Sequence, residues 1–150
     1  MENLTERDFI MNAYLNLYMN NVTAGGTDGT AISLGDTETS PLSVTLDAST
    51  NEAKIMKVAI RCESGFQTVG NTTIGFTGTS AAKWSIAADS SYADATAAAA
   101  ATYSSTLTIS SAIGTTNTIF WVKASSSSDE TPGSDTSVNI TVSAMVAPTA

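Results

Sequence analysis

Residues 56–62 alternate without a break. In an extended chain Met56, Val58, Ile60 and Cys62 point to one side, and Lys57, Ala59 and Arg61 to the other. A helix would scatter these apolar side chains around its axis, so the segment is a strand with one face in a core. The same period of two recurs in Ile32 and Leu34, in Leu42, Val44 and Leu46, in Ile74 and Phe76, and in Trp84 and Ile86. It returns in Leu107 and Ile109, in Phe120, Val122 and Ala124, and in Val138, Ile140, Val142 and Ala144. Clusters of Gly, Asn, Asp and Ser separate these runs, and no helical pattern alternates with them. Short strands with frequent turns close into two packed sheets, so the expected fold is mainly β, an antiparallel sandwich of seven to eight strands. Residues 87–106 interrupt the rhythm with an alanine-rich stretch that reads equally well as a short helical insertion or an extended loop.

The first residues read differently. Asn3 or Thr5 can cap a helix, and acidic residues fill its first turn. Asp8, Asn12, Asn16 and Asn20 then recur at a spacing of four, while Ile10, Met11, Ala13, Tyr14, Leu15, Leu17 and Tyr18 fill most of the remaining circumference. That apolar arc is wider than a helix on one surface needs. Residues 1–24 are therefore expected to be an N-terminal α-helical attachment arm, with Ile10, Tyr14, Leu15, Leu17 and Tyr18 as its interface. Residues 25–30 are expected to be a flexible Gly-rich joint, and 31–150 the sandwich domain.

Composition narrows the chemistry. Fourteen acidic against six basic residues leave a net charge of −8, a sign that repels nucleic acid and anionic lipid. No run is long and apolar enough for a membrane helix. With no histidine, Ser-His and Cys-His nucleophile pairs and His-based metal sites are excluded, and no phosphate-binding glycine loop occurs. The single cysteine, Cys62, has no disulfide partner and reads as a small core side chain. No enzymatic activity, cofactor or metal is expected. Asp129, Glu130 and Asp135 bracket the last hairpin loop, but their spacing is not that of a calcium loop, and a solvated loop is the simpler reading. Trp121, Tyr92 and Tyr103 would suit a sugar platform. Trp121 lies on the opposite face from Phe120 and Val122, and an interface or core role is the expectation.

Residues 106–143 resemble the C-terminal half of immunoglobulin-like and fibronectin-III-like modules. The resemblance is carried by Thr106-Leu107-Thr108-Ile109-Ser110, by Ile119-Phe120-Trp121-Val122-Lys123-Ala124, and by Ser137-Val138-Asn139-Ile140-Thr141-Val142. It implies an Ig-like sandwich in which Trp84 is the buried core tryptophan. Val122 stands where such domains carry a second cysteine, and Phe120 lacks the hydroxyl of a tyrosine corner.

The helical arm, the disulfide-free sandwich, the 44 Ser plus Thr residues and the start without a signal-peptide pattern together resemble virion accessory proteins of tailed phages. That resemblance implies a capsid decoration protein, folded in the host cytoplasm and placed on the virion surface. Its partner would be a major capsid or other shell protein, with homo-oligomers expected and neither nucleic acid nor membrane as a partner. A carbohydrate-binding or host-attachment module and a self-assembling surface filament subunit are the rival expectations.

Overall fold

The computed structural model describes residues 14–32, 42–131, 133 and 137–149. Their chain folds into two antiparallel sheets. The larger has the order β2 (Thr30–Ala31), β1 (Leu15–Met19), β3 (Ala53–Cys62), β7 (Thr118–Ser125), β5 (Trp84–Ala88). The smaller has the order β6 (Thr106–Ile109), β4 (Phe66–Thr77), β8 (Asn139–Pro148). One core lies between them. Leu15, Leu17, Val58, Ile60, Cys62, Ile86, Phe120 and Val122 enter it from the larger sheet, and Ile74 and Ala144 from the smaller. The alternation that starts at Met56 thus does what period two requires, and Trp121 turns away from Phe120 and Val122 onto the outer face.

The N-terminal helix is not what residues 15–19 form. They are strand β1, paired antiparallel with β3 from Leu15 opposite Cys62 to Tyr18 opposite Ala59. The helical reading failed because the segment is apolar on both faces of either structure. Leu15, Leu17 and Met19 pack on the sandwich core, while Tyr18 packs on the outer side. A polar residue at every fourth position also fits a strand, since four is a multiple of two. Asn20 and Asn21 settle the matter locally. Both adopt left-handed backbone, at φ 63° and 64°, which a continuing helix would forbid. The expected helix over 3–13, including Ile10, lies outside the described residues, as does Leu34.

The expected joint is a fastened loop. Gly25 N donates to Asn117 O at 3.0 Å and Asn117 N donates to Gly26 O at 2.8 Å. Gly29 sits at φ +108°, where a Cβ would come within 2.5 Å of Val22, so this glycine serves close approach and not flexibility. The first strand expected after it is displaced: β2 is Thr30–Ala31, and Ile32 donates its amide to Leu17 O at 2.8 Å. Leu42, Val44 and Leu46 alternate half-buried with exposed Ser43 and Thr45 but form no strand, so pattern alone did not secure a ladder.

The excursion 87–106 is a flap on the outer face of the larger sheet. It holds one helical turn, α1 (Ala95–Ala98), capped by the Asp94 carboxylate, which accepts from Ala97 N at 2.9 Å. Ala98 is fully buried beside Trp121, Ile119 and Ala59, and Tyr103 donates its hydroxyl to Ala98 O at 3.0 Å. Small side chains let this turn lie close to the sheet. The tryptophan expected in the core, Trp84, is half-buried at the core margin with its ring centroid 5.8 Å from that of Phe76.

In immunoglobulin domains the last two strands are neighbours in one sheet. Here β7 and β8 belong to different sheets. The resemblance therefore holds for the alternation within β7 and departs in strand order, since β8 pairs with β4 and not with β7.

Two outcomes test this arrangement. Val122→Asp places a charge among fully buried apolar groups and is expected to cost several kcal/mol in a denaturant melt. Lys123→Asp, facing the flap, loses its position 5.5 Å from the Tyr103 ring and is expected to cost about 1 kcal/mol or less. Equal mildness at both positions contradicts the register. Separately, removal of residues 1–13 is expected to leave a cooperative thermal transition, whereas removal of 1–24 takes β1 out of the sheet and abolishes it. A folded 1–24 deletion would show that β1 is dispensable.

Candidate functional site

The sequence directs attention to the N-terminal residues, and the structure divides them. Ile10 lies outside the described residues. Leu15 and Leu17 are buried in the sandwich core, and Tyr18 is buried under the 20–29 loop. None of these three offers a surface to another molecule. Tyr14 differs: it is half-buried just before β1, with its ring centroid 4.2 Å from that of Phe66. Phe66 begins β4 and stands opposite Pro148 at the end of β8. Thr149 N, one residue on, donates to Gly65 O at 2.8 Å. The described chain therefore enters and leaves the sandwich at the same end, beside the β3–β4 turn.

On the outer face near that end a polar network surrounds Asn117, the most deeply placed polar residue of the larger sheet's border. Its amide donates to Asp28 Oδ1 at 2.8 Å and to Thr23 O at 3.0 Å. Its carbonyl oxygen accepts from Arg61 Nη1 at 2.7 Å. Arg61 also donates to Asp28 O at 2.8 Å and lies over the Tyr18 ring at 3.5 Å. Asp28 accepts from the Thr23 hydroxyl and from Thr23 N, and these bonds hold its carboxyl below the usual carboxylate range. Burial pushes the Tyr18 phenol up, against the pull of Arg61. Asn16 and Tyr18 donate to Glu63 Oε1 at 3.2 and 3.4 Å. Every strong donor here faces another part of the chain. These bonds tie one part of the chain to another, the arrangement of a clamp that fixes the 20–29 loop to β3 and the start of β7.

The other candidates are equally occupied. Trp121 is 2% exposed, its indole N–H donates to Asp89 Oδ1 at 2.9 Å, and Tyr92 meets it edge-on at 6.4 Å. Lys57 stands 5.9 Å from the same ring. This aromatic cluster is a second small core under the flap, so no sugar can stack on Trp121. Glu130 is ion-paired with Lys83 at 3.0 Å, and Asp129 accepts from the Ser127 hydroxyl at 2.7 Å. These contacts lower the pKa of both carboxyls, while Asp135 lies outside the described residues. No group of three or more His, Cys, Asp or Glu fit to hold a metal occurs among the described residues. Cys62 is buried, donates to Ile113 O at 3.3 Å, and burial pushes its thiol up to about 11, the opposite of a reactive cysteine.

Sequence reasoning missed the clamp. Gly25-Gly26 and Asp28-Gly29 look like slack, and a lone asparagine in Gly-Thr-Thr-Asn-Thr has no signature. The one usable signal was Arg61, a long cation at the end of a strand that otherwise alternates into the core.

Removing the hub should loosen the loop selectively. Asn117→Ala is expected to cost about 1–3 kcal/mol, since Arg61 and Asp28 lose partners. The Asp28 carboxyl is lowered in the fold, so its contribution is present above the ordinary carboxylate range and lost as pH falls through the folded value. Amide exchange is therefore expected to quicken in residues 20–29 before β7 under acid, and Asp28→Asn should remove that pH dependence. Uniform exchange across both segments would contradict a local clamp. No protein-family model, curated protein or solved structure matches the chain.

Proposed function

We propose that this chain is a non-enzymatic structural accessory protein, a capsid decoration protein that displays a β-sandwich and is held to a virion shell by the segment preceding Tyr14. The observation that carries the reading is the convergence of Tyr14, Phe66 and Pro148 at one end of the sandwich. The thirteen residues before Tyr14 include Leu4, Phe9, Ile10 and Met11 and issue from that end. Fully extended they span at most about 47 Å, longer than the strands of the domain they leave. Large apolar residues on such a tether suit insertion into a groove of a neighbouring subunit.

The described residues are organised for rigidity. The Asn117 clamp, the flap over Trp121 and the ion pair at Glu130 tie down segments that, in a catalytic or ligand-gripping module, would be left free to move. A tied-down body preceded by a segment that carries Leu4, Phe9, Ile10 and Met11 suits display on a shell. The attachment element is thus narrower than residues 1–24, because Leu15–Met19 belong to the sheet.

The test separates attachment from folding. Full-length protein and the variant lacking residues 1–13 are each mixed with purified capsid shells from the particle it decorates and sedimented. The full-length chain is expected in the pellet and the truncated one in the supernatant, with matching circular-dichroism melts. Equal pelleting of both, or no pelleting of the full-length chain, overturns the reading.

A further inference from the structure

We propose that two copies of this chain pair through the free edge of β8, forming a two-fold dimer with a continuous six-stranded sheet. Four strands end the two sheets, and three of those edges are short or closed. β2 has only two residues. β5 and β6 meet at a corner where Ile86 and Ser104 exchange amide–carbonyl bonds of 2.8 and 2.9 Å, and β6 itself has four residues. β8 has ten residues, is paired on one side by β4, and among the described residues has no strand on the other.

An edge of that length leaves a row of amide and carbonyl groups aimed outward, and monomers ordinarily blunt it. β8 carries none of the usual devices. Asn139-Ile140-Thr141-Val142-Ser143-Ala144-Met145-Val146-Ala147-Pro148 has no charged residue, and its proline comes last. The irregularity in the β4–β8 ladder lies in β4, where Val69 to Thr73 spans four positions against two from Met145 to Ser143. β8 itself runs unbroken.

Charge selects a second copy as the occupant. Each chain carries −8, so two copies repel unless they approach where neither has charge. Strands β4, β6 and β8 contain no Asp, Glu, Lys or Arg, whereas β3 and β7 hold Lys54, Lys57, Arg61 and Lys123. The neutral sheet is also the one with the open edge. Val69 and Met145, the two exposed large apolar side chains among the described residues at 49% and 38%, are cross-strand partners on its outer face.

Geometry then limits the register. Ile140, Val142, Ala144 and Val146 face the core, and Thr141, Ser143 and Met145 face out. A two-fold axis normal to the sheet preserves these faces only if residues directly opposite share a parity, so the axis passes through a residue and not through a peptide bond. Centring on Ser143 or Ala144 pairs nine of the ten residues, about 30 Å of edge. Either choice sets the two Met145 side chains close to the axis.

The inference does not rest on attachment to a shell, and its test needs only the purified full-length chain. Light scattering with size exclusion is expected to give twice the 15.4 kDa chain mass. Thr141→Lys with Ser143→Lys gathers like charges of both copies around the axis on exposed positions in either register, directly opposite when the axis passes through Ser143, and should raise the dimer Kd about tenfold or more. Because lysine reduces the overall negative charge, general electrostatics would shift the Kd the other way. Thr108→Lys, exposed on the same face but on β6, should leave the dimer intact, as should deletion of residues 1–13. A monomeric wild type overturns the proposal, as does a double-lysine variant that dimerises normally. A dimer lost equally with Thr108→Lys would mean face-to-face stacking, and one lost with the deletion would mean joining through the N-terminal segment; either also overturns it.

Discussion

The ladder between β3 and β7 is the constraint from which the rest of the structure follows. Eight positions pair, from Ala53 opposite Ser125 to Ile60 opposite Thr118, and both faces of the pair are apolar at its centre. Val58, Ile60, Phe120 and Val122 need a second sheet on one side, which β4, β6 and β8 supply. Ala59, Ile119 and Trp121 need cover on the other. A three-stranded sheet cannot serve both faces. The flap and the 20–29 loop exist to close the outer one, and each is fixed by a polar tie: Asp89 to the Trp121 indole, and Asp28 through Asn117 to Arg61. Burying a tryptophan without a partner for its N–H would be costly, so the flap brings the acceptor with it.

This two-sided burial also explains what was and was not legible in the sequence. Strands that meet water on one face announced themselves by alternation, as in β3 and β6 and the inward face of β7. β1 did not, because its neighbours β3, β2 and the 20–29 loop leave Leu15, Leu17 and Tyr18 all buried. A strand buried on both faces loses period two and becomes indistinguishable from an apolar helix over so few residues. The alanine run left a short helical insertion and an extended loop equally open, and a short helical turn is what forms there. Its helix is one turn long because its task is to approach Trp121 closely, and that task depends on residues some twenty positions further along the chain.

The edge proposed to pair two copies was less legible still, since what marks it is a shortage. Nothing in the chemistry-bearing residues pointed to β8: it has no aromatic, acid or base. Its significance comes from strand order, which places it alone at an open edge, and from the gathering of four of the six basic residues on β3 and β7. Neither fact is available before the topology is known. Tyr14, expected at an interface for its apolar character, packs on Phe66 just before β1.

Taken together, the tether and the edge impose a geometry that neither imposes alone. Antiparallel pairing of two β8 strands sets the Pro148 end of one copy beside the Asn139 end of the other, so the two Tyr14 residues lie at opposite ends of the dimer. A dimer standing upright on a shell could then anchor only one copy. The two-fold axis is normal to the shared sheet, and the tethers become equivalent with respect to a surface only when the sheet lies parallel to it. Under the proposed function such a dimer would therefore lie flat across two equivalent shell sites, at a local two-fold of the lattice, with its effective affinity raised by double anchorage.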